Sequence, residues 1–314
     1  MATIGVDVGG TNITAAEVQD GEAHHHAKVA TPTTTGDDLI TAIVALIAGI
    51  ADEHDLTVDQ VGLGVPGTVD PTHGVLRSAP NLGISDDAVA VAALVGTGLA
   101  DAGIGDVEVR VDNDVNVAAR GEWRHGAAVG HDDVLAVWWG TGIGGGLILD
   151  GRVRTGSSGS AGEIGHTLYV ADGRRCGCGH HGHVEAYSGR AALEAEARRR
   201  HAAGETTRLV DLAGDDRMKS RYWAEALDDG DVTTAALLDG AAHAIGMGIA
   251  SAVTLVDVDL VVIGGGLGSR LGAPWAERIG RVARSAVFGQ ASFEVVTSVL
   301  GDDAGVIGAA ALFD

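Results

Sequence analysis

Cysteine is nearly absent. Cys176 and Cys178 are the only two in 314 residues. One residue apart, they are too close for an ordinary structural disulfide, and no third thiol exists to pair with either. Lysine is as scarce: Lys28 and Lys219 are the only two, and arginine supplies the rest of the 21 basic residues. Against 43 acidic residues this leaves a formal net charge of −22. Such a chain lacks the basic face that nucleic acid or an anionic membrane requires, so neither is expected as a partner. Aromatic residues make up only 4%, against 46% hydrophobic residues overall. The core must therefore be Ala, Val, Leu and Ile, packed closely through 49 glycines, and the apolar fraction excludes disorder. No run of about 18 apolar residues occurs, so no membrane span is expected. The opening Met-Ala-Thr-Ile-Gly-Val-Asp-Val has neither a basic n-region nor a cleavage site. A cytoplasmic protein without a signal peptide is the expectation.

Arginine in place of lysine fits a GC-rich genome. The acid excess with so little lysine also fits a salt-rich cytoplasm. There the Debye length shrinks to about 3 Å at 1 M salt, and self-repulsion costs little. A halophilic protein is expected, with stability that depends on KCl.

What is present is glycine, placed regularly. Thr3 to Val8 reads as a buried strand, Gly9-Gly10-Thr11-Asn12 as a turn, and Ile13 to Val18 as the returning strand. The pattern recurs about 130 residues later. Val134 to Trp139 leads into Gly140-Thr141-Gly142-Ile143-Gly144-Gly145-Gly146, and Leu147 to Leu149 returns. Two such units predict a duplicated fold. Helical spacing appears over Asp38–His54, Asp87–Ala102, Val115–His125, Arg190–Ala203, Thr233–Thr254 and Ala304–Phe313. Strands are expected at Gln60–Val65, Val107–Val111, Leu260–Ile263 and Phe293–Val299. Alternating strands and helices give an α/β protein of two domains. The break is expected near residues 115–125, giving domains 1–118 plus about 303–314, and 119–302. His24-His25-His26 reads as an exposed hairpin loop rather than a metal site.

Several clusters carry chemistry. A glycine turn lets backbone N–H groups approach phosphate oxygens. Neither turn is followed by the lysine of a Walker motif, and the second leads into a strand, unlike a dinucleotide fingerprint. A third glycine run, Gly264-Gly265-Gly266, ends a predicted strand. Asp7 precedes the first turn and suits Mg2+ held through water, or caps the turn. Asp112-Asn113-Asp114 ends a strand before a helix, where Asp and Asn are ordinary N-caps. A carboxylate at that strand end also suits a general base acting on a hydroxyl. Both thiols fall in Cys176-Gly-Cys178-Gly-His-His-Gly182-His183, downstream of His166. His166, Cys176, Cys178 and His183 make a Cys2His2 set fitting a closed, structural zinc site, with His180 and His181 as rival ligands. Glu163 and Glu185 bracket this loop and suit sugar hydroxyls, or orient a ligand histidine.

In combination and order, these pieces resemble the ROK family of sugar kinases and repressors, most closely its glucokinase-like members. The matching residues are Asp7-Val-Gly-Gly-Thr-Asn12, Gly64-Val-Pro-Gly-Thr-Val-Asp70, Asn113-Asp114-Val-Asn116, Gly140-Thr-Gly-Ile-Gly-Gly-Gly146, Glu163-Ile-Gly-His166, Cys176 to Gly182, Glu185 and Gly264-Gly-Gly266. The resemblance implies a duplicated actin-like, ribonuclease-H-like ATPase fold with ATP and Mg2+ in an interdomain cleft, whose closure excludes water. It implies that Asp114 deprotonates the attacking hydroxyl. It assigns the sugar to Gly67, Asn113, Glu163, His166 and Glu185. The nucleotide falls to Asp7, Gly9, Gly10, Thr11, Asn12, Thr141, Gly142, Gly144, Gly145, Gly265 and Gly266. A homodimer or higher homo-oligomer is implied as well. Two departures stand out. His183 occupies a place usually held by a third cysteine, so a retained Cys2His2 site is expected. Trp138-Trp139 precede the second turn where smaller residues are usual, and strand-face packing is the expected reason.

Glucose is the leading substrate. N-acetylmannosamine, N-acetylglucosamine, fructose and allose remain alternatives, and ATP, ADP and polyphosphate are all candidate donors. A sugar-responsive repressor is disfavoured, because the first hairpin begins at residue 3 and leaves no room for a helix-turn-helix. A non-catalytic sugar-binding protein is disfavoured by Asp7, Asp114 and the two glycine turns.

Overall fold

The computed structural model describes residues 2–32, 36–79, 82, 84, 88–289 and 291–314. Two compact units emerge. The first comprises Met1–Gly130, Val153–Ala161 and Asp302–Asp314; the second comprises His131–Arg152 and Gly162–Gly301.

The first unit runs β1 (Ala2–Val8), β2 (Asn12–Gln19), β3 (Glu22–Ala30), α1 (Gly36–His54), β4 (Val58–Val65), β5 (Thr68–Asp70), β6 (Val75–Ser78), α2 (Val91–Asp101), β7 (Glu108–Asn113) and α3 (Asp114–His125), and it receives α11 (Ala304–Ala310). Its sheet has the order β3-β2-β1-β4-β7. The β1, β2 and β3 strands pair antiparallel, while β1, β4 and β7 pair parallel. The helical spacing seen in the sequence proves to be the buried stripe of α1, with Leu39, Ile40, Ile43, Leu46, Ile47 and Ile50 inside. On the sheet, α11 lies directly against backbone. A Cβ at Gly5 would collide with the Val306 carbonyl, and one at Gly62 with the Ala309 carbonyl. On the helix side, a Cβ at Gly308 would strike the Val117 carbonyl of α3. Glycine thus removes the spacing a side chain would impose, and α11 is wedged between the sheet and α3.

The second unit runs β8 (Val134–Trp139), β9 (Ile143–Ile148), α4 (Glu185–Ser188), α5 (Arg190–Ala202), α6 (Arg208–Ala213), α7 (Ser220–Asp228), α8 (Val232–Val256), β10 (Leu260–Gly264), α9 (Gly265–Leu271), α10 (Ala273–Ala286) and β11 (Glu294–Thr297). Its sheet has the order β11-β10-β8-β9, antiparallel at β8–β9 and parallel elsewhere. Read from its hairpin, this repeats the first sheet, with β9-β8-β10-β11 matching β2-β1-β4-β7. The duplication expected from two glycine turns therefore extends to four strands of each sheet, with β3 added at the edge of the first. By length and composition α8 passes as a membrane span, but 61% of its most apolar window is buried. There Leu237, Leu238, Ile245, Ile249 and Val253 join Trp139, Trp223 and Trp275 in the core.

Several expectations are corrected. His24, His25 and His26 lie within β3, not in a loop; the turn is Asp20-Gly21, both with positive φ. A register shift between Ala15 and Glu17 accommodates them as a bulge, with His25 at φ 53°. The glycines Gly144 to Gly146 belong to β9, so the second turn is shorter than expected. The compact units divide at Gly130, not within residues 115–125, because α3 packs on α11 and stays with the first unit. Val153–Ala161 also returns to the first unit. The last helix ends at Ala310, and a 3-10 turn covers Ala311–Phe313. Asp87, the expected start of α2, lies outside the described residues.

Candidate active site

In the first unit, Asp7 stands one residue before the end of β1, opposite Thr14 of β2. Beyond it the chain turns tightly, with the Gly9 N–H donating to the Asn12 carbonyl at 2.9 Å. Gly10 and Thr11 are exposed at the tip. Buried Thr31 braces this turn: its hydroxyl donates to the Gly9 carbonyl at 2.6 Å and its N–H to the Thr11 carbonyl at 3.0 Å. Gly305 of α11 lies so close to Asp7 that a Cβ there would meet the carboxylate. Burial first, and then the charge of Asp114, push the Asp7 carboxyl up to about 7, with Lys28 opposing.

Asn113 and Asp114 join β7 to α3. The Asn113 side chain is the N-cap, accepting from the N–H groups of Val115 at 2.9 Å and Asn116 at 3.1 Å. Its amide group also donates to the Gly67 carbonyl at 3.0 Å and to Asp114 Oδ1 at 2.9 Å. Asp114 Oδ1 accepts a further bond from the Val115 N–H at 2.9 Å. The cap and the carboxylate are therefore one construction: the residue that starts the helix also fixes Asp114. Behind them Asp112 is buried, accepting from the Asn113 N–H and the Asn116 amide. Burial raises its carboxyl above the ordinary range. Gly67, with φ 102°, has no room for a side chain because Ser78 and Ala79 abut it.

In the second unit the glycine turn closes with the Gly140 N–H donating to the Gly142 carbonyl at 3.0 Å. Gly144 and Gly145 follow in β9, and a Cβ at Gly145 would strike the Gly162 carbonyl. Gly265 and Gly266 open α9 at the end of β10. At Gly265, φ is 80° and the Trp139 backbone abuts it. Trp139 itself is buried, donates Nε1 to the Ser188 carbonyl at 2.8 Å and meets Trp275 edge-on, so the unusual tryptophan is a packing residue.

The histidine–cysteine loop converges on one point. One donor atom from each of His166, Cys176, Cys178 and His183 lies within 4.8 Å of all the others. Tetrahedral zinc with bonds of about 2.0–2.3 Å needs donors roughly 3.3–3.8 Å apart, so the set fits with slight contraction. Cys178 Sγ is 3.2 Å from His183 Nδ1 and 3.8 Å from His180 Nδ1. Neither His180 nor His181 joins the four-donor group. Partial burial, with His166 and His180 nearby, lowers the pKa of His183 and favours the neutral, ligating form. Burial pushes the Cys176 thiol up to about 11, the opposite of what a thiolate nucleophile needs; a bound cation would reverse this.

The two ring nitrogens of His166 face different ways. Nδ1 lies 3.7 Å from Cys176 Sγ, and Nε2 lies 3.9 Å from Glu163 Oε2. Glu163 is half-exposed; partial burial raises its pKa, Glu185 adding and His166 opposing. Glu185 joins the loop to the glycine turn: Oε2 accepts from the Ile143 N–H at 2.9 Å, and Cys176 Sγ lies 3.6 Å from Oε1. A Cβ at Gly142 would collide with this carboxylate. The expected residues thus gather within their own units, around Asp7 and Asp114 in the first and around His166 and Glu185 in the second. Thr31 and Gly305 pack against the first turn and were missed. Only Thr31, before Pro32 at a strand end, had any local signal.

Two sheets of one plan, each with a glycine-tipped hairpin, define the duplicated actin-like ATPase fold. The chain belongs to the ROK family, whose model matches residues 3–314. It is 32% identical over 318 residues to a glucokinase of Streptomyces coelicolor, covering 99% of this chain and 96% of that one. It is 31% identical over 293 residues to an N-acetyl-D-glucosamine kinase of Escherichia coli, covering 88% of each. A ROK family glucokinase from Streptomyces griseus, solved in complex with glucose and AMPPNP, has a TM-score of 0.84 at 34% identity over 99% of both chains.

Proposed function

We propose that the chain is an ATP-dependent sugar kinase that phosphorylates a hexose, with glucose first among the candidates. The observation that carries this reading is Asp114, whose Oδ1 is fixed by Asn113 and the Val115 N–H in the unit that holds the Asp7 turn. A carboxylate fixed at a strand end suits in-line phosphoryl transfer, where catalysis is mostly positioning and charge neutralisation. Asp114 accepts the proton of the attacking hydroxyl. Asn113 orients that carboxylate and, with Gly67, borders the sugar. Glu163, His166 and Glu185 recognise ring hydroxyls, a reading supported by the Nε2 side of His166 facing Glu163. The turns at Gly9–Asn12 and Gly140–Gly142, with Gly265 and Gly266, take the nucleotide. Asp7 would hold the Mg2+ that accompanies ATP through water, and the ion would supply neutralisation of phosphate charge. His166, Cys176, Cys178 and His183 hold a structural zinc, since four protein donors leave no open position.

N-acetylglucosamine is the second reading, favoured by the kinase of Escherichia coli. A coupled assay across a hexose panel, with ATP, ADP and polyphosphate as donors, ranks the sugars and the donor. Zinc measured in the same sample is expected at one ion per chain. Asp114→Ala is expected to lower turnover by about 10²–10⁴-fold while sugar binding persists. Near-normal turnover in that variant would show that another group is the base.

A further inference from the structure

The turn between β8 and β9 carries no lysine, yet a cation stands behind it. Arg190, the first residue of α5, donates Nη2 to the Thr141 hydroxyl oxygen at 2.8 Å and Nη1 to the Met218 carbonyl at 2.6 Å. Among the described residues no carboxylate pairs with this guanidinium. Its neighbour Glu194 is engaged with Arg198 and the Met218 N–H. Arg217 is near enough that its charge opposes that of Arg190. Glu194 nonetheless lies near enough to favour the Arg190 charge. In a chain of net charge −22 this places a cation beside a glycine turn.

The turn does not need Arg190's side chain to hold its shape. The Arg190 N–H donates to the Gly140 carbonyl at 3.1 Å, and the Ala191 N–H donates to the Thr141 carbonyl at 3.0 Å. Glu185 holds the Ile143 N–H. What the side chain does is set the hydroxyl. A hydroxyl has one hydrogen to donate and two lone pairs to accept with, and a guanidinium can only donate. Arg190 therefore occupies a lone pair of Thr141 and leaves its O–H to donate elsewhere. Thr141 is exposed. A positive donor behind the oxygen also strengthens that outward O–H. The partner chemistry this suits is an anionic phosphoryl oxygen.

We infer that Arg190 is a positioning residue for the donor nucleotide, orienting and polarising the Thr141 hydroxyl toward a phosphate oxygen of MgATP. The inference rests on the kinase reading above and adds a residue that neither the glycine pattern nor the turn backbone supplies.

The test measures KM for MgATP, KM for sugar and kcat in wild type, Arg190→Gln, Arg190→Lys, Thr141→Val and the Arg190→Gln/Thr141→Val double variant, with MgATP binding followed by calorimetry. Arg190→Gln and Thr141→Val are each expected to raise KM for MgATP about tenfold, leaving kcat and the sugar KM near wild type. Arg190→Lys, which still donates, is expected to recover most of the loss. The double variant is expected to be no worse than Thr141→Val alone. An unchanged KM for MgATP in Arg190→Gln, or losses that multiply in the double variant, overturns the inference. Should Arg190→Gln fail to fold, Thr141→Val leaves the Met218 link in place, and an unchanged KM for MgATP there overturns it equally. A wild-type protein that binds no MgATP overturns the ATP-dependent reading itself. Binding with an indifferent Arg190 overturns only the role given to Arg190.

Discussion

Asp7 carries a charge that its surroundings disfavour. Burial and the neighbouring Asp114 raise its pKa to about 7. A carboxyl that holds its proton more tightly in the folded than in the unfolded chain destabilises the fold as pH rises. The loss begins above the ordinary aspartate value, near 3.9, and is complete once the pH passes about 7. Asp7→Asn removes the titration. In thermal melts without nucleotide it is expected to match wild type near pH 4 and to melt higher at pH 8, while turnover is lost. Equal melting temperatures at pH 8 would show that ionising Asp7 costs the fold nothing. Asp7 and Asp114 were legible in the sequence because each lies beside a turn or strand end where ligands sit. The double duty of Asn113, as helix cap and as anchor of Asp114, was not legible. The two duties share one sequence signature, and only the hydrogen-bond partners show that Asn113 performs both. Arg190 was invisible for another reason: an arginine at a helix start has no spacing that ties it to a turn 49 residues earlier.

The helix α11 shows what a glycine can mean within an element. Gly62→Ala places a methyl group into the Ala309 carbonyl, where neither sheet nor helix backbone can yield locally. It is expected to cost about 1–3 kcal/mol by overpacking. Gly49, exposed on α1, is the control, since a Cβ added there would meet nothing within 4 Å. Gly49→Ala is expected to stabilise by about 0.5–1 kcal/mol, since alanine restricts the unfolded chain and favours helix. Denaturant midpoints distinguish the two, and similar shifts for both would refute the close-packing account. The long, periodic elements α1 and α8 were readable from spacing alone. The edge strand β3 was not. Its three consecutive histidines obscure the alternation, and its bulge breaks the period of two on which strand reading depends.

At the level of the whole chain, the net charge of −22 predicts a salt response. Raising KCl from low concentration toward 1 M is expected to increase the melting temperature by screening acid–acid repulsion. A melting temperature indifferent to salt would refute the halophile reading. The duplication was legible because both glycine-tipped hairpins survive in the sequence. The place where the units divide was not, because it depends on α11 coming back to pack on α3. That return has a consequence for synthesis. Residues 304–310 are made after every strand of the second unit, whose sheet is complete at Thr297. On the ribosome the first unit therefore waits, with the groove over Gly5 and Gly62 unfilled, while the unit translated later finishes its sheet before it.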